Sequence, residues 1–192
     1  MERNIKNAWA AIPFDNIKEL QEYVPKMVNA DASTNSSEDH LHTLLMCAAA
    51  HGSINCLEYL LSNGANPNKK NFVGMTALHW AAYSAREECV KKLLNAGAKI
   101  EAKTEDGKTP FHIAASRGHL QFIVFLKELG CDINAVTSEG WTGMHFAIIG
   151  NHQNVAKYLL DQKIDFMGPD IFGKTLISLV EEYQRTWFKV NV

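Results

Sequence analysis

Threonine recurs in this 192-residue chain at a fixed step of 33 residues: Thr43, Thr76, Thr109, Thr142 and Thr175. Around these positions the chain reads TLLMCAA, TALHWAA, TPFHIAA, TGMHFAI and TLISLVE. A second marker keeps the same step. Gly64, Gly97 and Gly130 close segments ending in LLSNG, LLNAG and LKELG, and Lys163 takes the next place. A period of this length confines the chain to stacked copies of one small unit, because such a unit cannot bury its apolar face alone.

Each copy can be read physically. Gly74, Gly107, Gly140 and Gly173 stand two residues before the threonine, where a tight turn needs a backbone that tolerates positive φ. The threonine suits the N-cap of a short helix, since its hydroxyl can take an orphan amide. Pro110 follows one of them, at a first helical position where a missing N–H costs nothing. Paired alanines (Ala48-Ala49, Ala81-Ala82, Ala114-Ala115) let neighbouring helices approach closely, and Gly52 and Gly118 permit a turn into a second helix. That second helix carries a buried stripe: Cys56/Leu57/Leu60/Leu61, Cys89/Val90/Leu93/Leu94, Phe122/Ile123/Leu126 and Val155/Ala156/Leu159/Leu160. The segments NPNKKNFVG, KIEAKTEDG, DINAVTSEG and DFMGPDIFG then form projecting hairpin turns.

Full repeats are assigned to 41–73, 74–106, 107–139 and 140–172. The ends are degenerate, as capping units are. Residues 1–40 hold an N-terminal cap and a long connector. In the cap, Ile17, Leu20 and Val24 form the expected buried stripe; in the connector, Ala32–Asp39 reads as a solvated loop and Val28-Asn29-Ala30 echoes Ile133-Asn134-Ala135. Residues 173–192 give a capping helix near Thr175–Tyr183 and a tail.

The 33-residue step with its T-P-L-H-x-A core resembles the ankyrin-repeat family along nearly the whole chain, least at 1–40 and 184–192. The resemblance implies an all-α solenoid of stacked antiparallel helix pairs with short hairpin fingers: four full repeats plus degenerate N- and C-terminal caps. It also implies that ligands dock on the fingers and on the concave face of the first helices. Departures from the pattern fall at Ala85 and Asn151 (in place of the helix-ending glycine), at Leu41 (in place of the turn glycine) and at Met46 and Ser178 (in place of the histidine). Local irregularity is expected at each.

Composition narrows the function. A net charge of -2 with no long Lys/Arg run gives no footprint for nucleic acid. No run of 18 apolar residues exists, so no membrane insertion is expected. The N-terminus lacks the pattern of a secretory signal. The four cysteines, Cys47, Cys56, Cys89 and Cys131, form no C-x-x-C pair, which suits a cytoplasmic or nuclear protein. The triplet Asn35-Ser36-Ser37 is then a chance match to a glycosylation site.

Catalysis and metal binding find no support. No G-x-S-x-G, P-loop or H-E-x-x-H motif occurs, and no cofactor is implied. His79, His112 and His145 share one repeat position. Adjacent helices hold equivalent positions roughly 8–10 Å apart, whereas zinc ligands converge within about 2.1 Å of one ion. Each histidine is expected to hydrogen-bond the turn or the neighbouring threonine. His40 and His42, in an irregular segment, are the weaker metal candidates.

What remains is binding. Phe72, Val73, Met75, Trp141 and Phe172 flank the turn glycines, and Tyr83, Arg117 and Ile149 follow the alanine pairs or their equivalents. Smaller polar residues would serve folding equally well there, and exposed aromatics with an arginine are typical interface anchors. The expectation is a non-catalytic, monomeric adaptor or inhibitor that binds another protein or a peptide. The rival is a regulatory or targeting fragment of a larger protein such as a channel, an acyltransferase or a ubiquitin ligase subunit. By the family resemblance, Asn134 is also a candidate for asparaginyl hydroxylation, with Asn68 equivalent.

Overall fold

The computed structural model describes residues 2–26, 42–165 and 168–188. Among these residues there are eleven α-helices and no β-strand. The chain divides into two compact units, 1–105 and 106–192.

The first unit contains α1 (Glu2–Ala11), α2 (Ile17–Tyr23), α3 (Leu44–His51), α4 (Ile54–Ser62), α5 (Ala77–Tyr83) and α6 (Glu87–Asn95). Here α1 packs on α3 and α3 on α5, while α2 packs on α4 and α4 on α6. The second unit contains α7 (Pro110–Arg117), α8 (Leu120–Glu128), α9 (Gly143–Ile149), α10 (Gln153–Asp161) and α11 (Leu176–Glu182). In it α7 packs on α9 and α9 on α11, with α8 on α10. Helices of seven to ten residues are shorter than the about 12–15 residues that persist alone in water. Packing between helix pairs therefore supplies their stability.

The sequence pattern explains the packing. First helices are buried almost all round: Leu44 to Ala49 in α3, and Ala77, Leu78, His79, Ala81 and Ala82 in α5. Second helices bury one stripe, Cys56/Leu57/Leu60, Cys89/Val90/Leu93, Phe122/Ile123/Leu126 and Val155/Ala156/Leu159, with Leu61, Leu94 and Leu160 half-buried at its edge. In the N-terminal cap Leu20 and Val24 are buried and Ile17 is half-buried. Ala8, Ala11 and Ile12 complete that core. The connector residues Val28–Ala30, Ala32–Asp39, His40 and Leu41 lie outside the described residues.

The departures from the repeat pattern have distinct outcomes. Gly52, Ala85, Gly118, Asn151 and Gln184 share one position and all have positive φ, from 52° to 79°. Ala85 and Asn151 thus hold the left-handed conformation at a cost of roughly 1–2 kcal/mol for an ordinary side chain. Met46 does not disturb its helix start. Its sulfur lies 3.5 Å from the Thr43 N–H and accepts it, as a histidine nitrogen does elsewhere.

One tie between neighbouring helix pairs recurs. The residue that follows the positive-φ position after a first helix reaches back to the last carbonyls of the first-helix segment one repeat earlier. Ser53 Oγ donates to Ile12 O at 2.6 Å, Arg86 Nε to Ala50 O at 3.5 Å and His152 Nε2 to Ser116 O at 2.9 Å. Arg185 donates to Ile148 O at 2.9 Å and Ile149 O at 2.8 Å. Carbonyls at a helix end lack the i+4 amide of the helix interior, and a donor or cation there also meets the negative end of the helix dipole.

Candidate protein-docking surface

One buried polar side chain recurs in the finger turns. Asn71, Thr104, Thr137 and Asp170 recur at the 33-residue step and are between 6 and 8 % exposed. The Asn71 N–H donates to Met75 O at 2.9 Å, and its Oδ1 accepts the Val73 and Met75 amides at 3.2 and 2.8 Å. Asp170 repeats this with Lys174 O at 2.8 Å and with the Phe172 and Lys174 amides at 2.9 and 2.8 Å. Thr137 uses its hydroxyl to accept the Trp141 amide at 3.1 Å.

Consecutive fingers within a unit are joined by one backbone bond. The Glu105 N–H donates to Val73 O at 3.2 Å, Ser138 to Asp106 O at 3.0 Å and Ile171 to Glu139 O at 3.0 Å. The turn glycines make this approach possible. A Cβ on Gly74 would stand 2.6 Å from the Glu105 nitrogen, and one on Gly107 2.7 Å from that of Ser138. Both also hold φ near +78°, where a Cβ is strained. The fingers are therefore ordered by backbone and polar groups, and the two tip residues before each glycine are left to solvent.

These constraints decide where the site residues lie. Phe72 is 74 % exposed, Phe172 72 % and Val73 40 %. Met75 and Trp141, which follow the glycine, are half-buried. Trp141 donates its indole N–H to Asp170 Oδ2 at 3.1 Å, stacks on His145 at 6.0 Å between centroids and meets the edge of Phe146 at 5.6 Å. It is thus engaged within its own unit. Tyr83 is 39 % exposed and leans on Trp80 at 5.6 Å. Arg117 is exposed at the end of α7, and Ile149 is half-buried at the end of α9. Four of the eight residues belong to the first unit and four to the second.

Other strongly exposed apolar side chains are Phe14 at 84 % in the first unit, and Ile171 at 65 % and Val136 at 47 % in the second. Ile171 and Val136 were within reach of the repeat register. Ile171 aligns with Phe72, and Val136 stands where Lys70 and Lys103 stand. Nothing in the sequence marks Phe14, which lies in a short 3-10 turn after α1.

The electrostatics follow from these contacts. Burial pushes the Asp170 carboxyl up, but the Trp141 indole and the Lys174 and Phe172 amides outweigh it and hold it below the ordinary value. The three repeat histidines sit in capping boxes. Each Nδ1 accepts its threonine's N–H, at 3.1 Å in His79, 3.0 Å in His112 and 3.1 Å in His145. That fixes the neutral tautomer with the proton on Nε2. His112 Nε2 donates it to Ala135 O at 2.9 Å, whereas His145 Nε2 has no partner among the described residues. Burial lowers the His145 pKa.

Cys56 and Cys89 are packing groups in the buried stripes of their helices. Burial pushes the Cys56 thiol up to about 12 and the Cys89 thiol up to about 11, far from a reactive thiolate. Among the described residues no group of three or more His, Cys, Asp or Glu side chains could hold a metal, and no helix is long and apolar enough to cross a membrane. Asn68 bridges to the next finger segment, its Nδ2 donating to Gly97 O and its Oδ1 accepting the Lys99 amide, both at 2.9 Å. Asn134 is exposed, and its Oδ1 accepts the Asp165 amide at 3.4 Å.

No curated protein matches the chain significantly. A family model described as "Ankyrin repeats (3 copies)" matches residues 9–104 and again 98–170. Helix pairs at a 33-residue step, threonine-capped first helices and glycine-turned fingers are what that model describes in sequence form, and the chain belongs to the ankyrin-repeat family.

Proposed function

We propose that this chain is a non-catalytic, monomeric interaction module, an adaptor or inhibitor, that holds a partner protein or peptide. Ankyrin repeats in general are protein-interaction modules, and the finger geometry supports that role here. The carrying observation is that Phe72 and Phe172 stand about three-quarters exposed on turns already fixed by Asn71 and Asp170. Burying such a side chain against a partner is favourable by roughly 1.5–3 kcal/mol, and an ordered finger loses little further freedom on binding. In the first unit Tyr83 adds to Phe72, and in the second Arg117 and Ile149 add to Phe172. Trp141 acts from beneath as a support for the last finger. The sparse cysteines favour a cytoplasmic or nuclear setting, and hydroxylation of the exposed Asn134 would fall beside the fingers.

The test is site-specific crosslinking in a native extract, with a photoreactive phenylalanine at position 72, 83 or 172 of the full chain. The expected result is one discrete protein adduct from at least two of these positions. Adducts from none of them, with adducts from a second-helix position such as Glu58, would overturn the proposed surface.

A further inference from the structure

In the second unit the described finger segments 131–141, 164–165 and 168–174 combine exposed apolar and acidic side chains. Val136, Ile171 and Phe172 are the exposed apolar groups. Asp132, Glu139 and Asp165 are exposed carboxylates on the same segments. The Ile171 amide bonds Glu139 O at 3.0 Å, so the acidic tip of one finger lies directly beside the apolar tip of the next. Lys174 is held by Glu182 at 2.8 Å, and Asp170 is turned inward to Trp141 and the backbone. The 65–76 finger of the first unit differs in sign at its tip: Phe72 and Val73 follow Lys69 and Lys70, with no acid in 65–76.

We infer that the fingers of the second unit take a basic, apolar segment of a partner protein. Its Lys or Arg side chains meet Glu139 and Asp165, and an apolar side chain covers Ile171 and Phe172. This rests on the interaction-module reading and gives it a chemistry. Charge complementarity is the argument: an acidic segment would set like charges against Glu139 and Asp165, which opposes docking. A segment without apolar groups would leave Ile171 and Phe172 in water. The Thr137 and Asp170 turns together present both kinds of group without prior ordering.

The probe is a random peptide library displayed on phage and selected on the full chain. The expected winners pair Lys or Arg with Leu, Ile or aromatic residues. Their binding should weaken about tenfold or more in Phe172→Ser and in Glu139→Lys, should fall with added salt and should persist in Phe72→Ser. Far-UV circular dichroism verifies that the variants keep their helices, and Ile171→Ser serves as a second apolar variant. Winners rich in Asp or Glu, or winners indifferent to both Glu139→Lys and Phe172→Ser, overturn the inference. If such winners instead depend on Phe72, the module reading stands and only this chemistry fails. A selection that enriches no peptide also overturns the inference, and the crosslinking result then decides the broader reading.

Discussion

A Cβ atom placed on Gly118 would stand 2.3 Å from Nδ1 of His152, so the glycine that ends α7 makes room for the side chain that precedes α10. The same relation holds in the first unit, where a Cβ on Gly52 would meet Arg86 Cδ at 3.0 Å. Helix termination and repeat stacking are thus one constraint: the glycine allows the left-handed turn and clears the path of the next repeat's hydrogen bond to Ser116 O.

Gly118→Ala should therefore cost more than conformational strain alone. The left-handed backbone contributes roughly 1–2 kcal/mol, and displacing His152 forfeits a hydrogen bond worth about 0.5–1.5 kcal/mol. Urea unfolding should show a loss of about 2–3 kcal/mol. Ala85→Gly, at the same repeat position, relieves strain but adds unfolded-state freedom, and should change stability by less than about 1 kcal/mol. Equal and small effects at both sites would show that His152 moves aside freely.

The repeat histidines should differ in worth. His112→Leu leaves the Ala135 carbonyl and the Thr109 amide without their side-chain partner, a cost of about 1–3 kcal/mol. His145→Leu should cost less, because its Nε2 makes no bond among the described residues. Thermal melts of the two variants decide the order. Retention of stoichiometric zinc by the wild-type chain after dialysis, lost in His112→Leu, would contradict the capping role.

Acid should destabilise the chain in two steps. Burial lowers the His145 pKa, so the fold favours the neutral ring. That contribution is whole above the unfolded value of about 6.5 and drains as pH falls below it. Asp170 is held down by the Trp141 indole and backbone amides against the opposing effect of burial. Asp15 is likewise held down by the Cys56 and Asn55 amides against burial. Their contribution is whole above about pH 4 and drains through the lower folded values. In melts across these windows, Asp170→Asn should flatten the lower step and leave the upper one in place. An unchanged lower step in both Asp170→Asn and Asp15→Asn would contradict this assignment.

The fold was legible because its determinants are local and periodic. Thr76 and His79, or Thr109 and His112, lie three residues apart, so the 33-residue register displays the capping box directly. The ties between repeats were not legible, since Ser53, Arg86, His152 and Arg185 share a task but not a side-chain type. The site was legible in part. Phe72 and Phe172 occupy tip positions, and the register alone places them on the turns. Trp141 shares a register position with Met75, Lys108 and Lys174, and its orientation depends on Asp170, 29 residues away. Only the packed turn reveals that partnership.

The central claim is that finger side chains serve binding and helix side chains serve folding. Its most direct measurement pairs melting with partner capture on three variants of the full chain: Phe72→Ala, Phe172→Ala and Leu93→Ala. Leu93 is fully buried, and its truncation should cost about 2–5 kcal/mol of stability. The two finger variants should stay within about 0.5 kcal/mol of the parent while weakening capture of the crosslinked partner by about 1–3 kcal/mol. Finger variants that unfold as readily as Leu93→Ala, or that bind as tightly as the parent, would contradict the account.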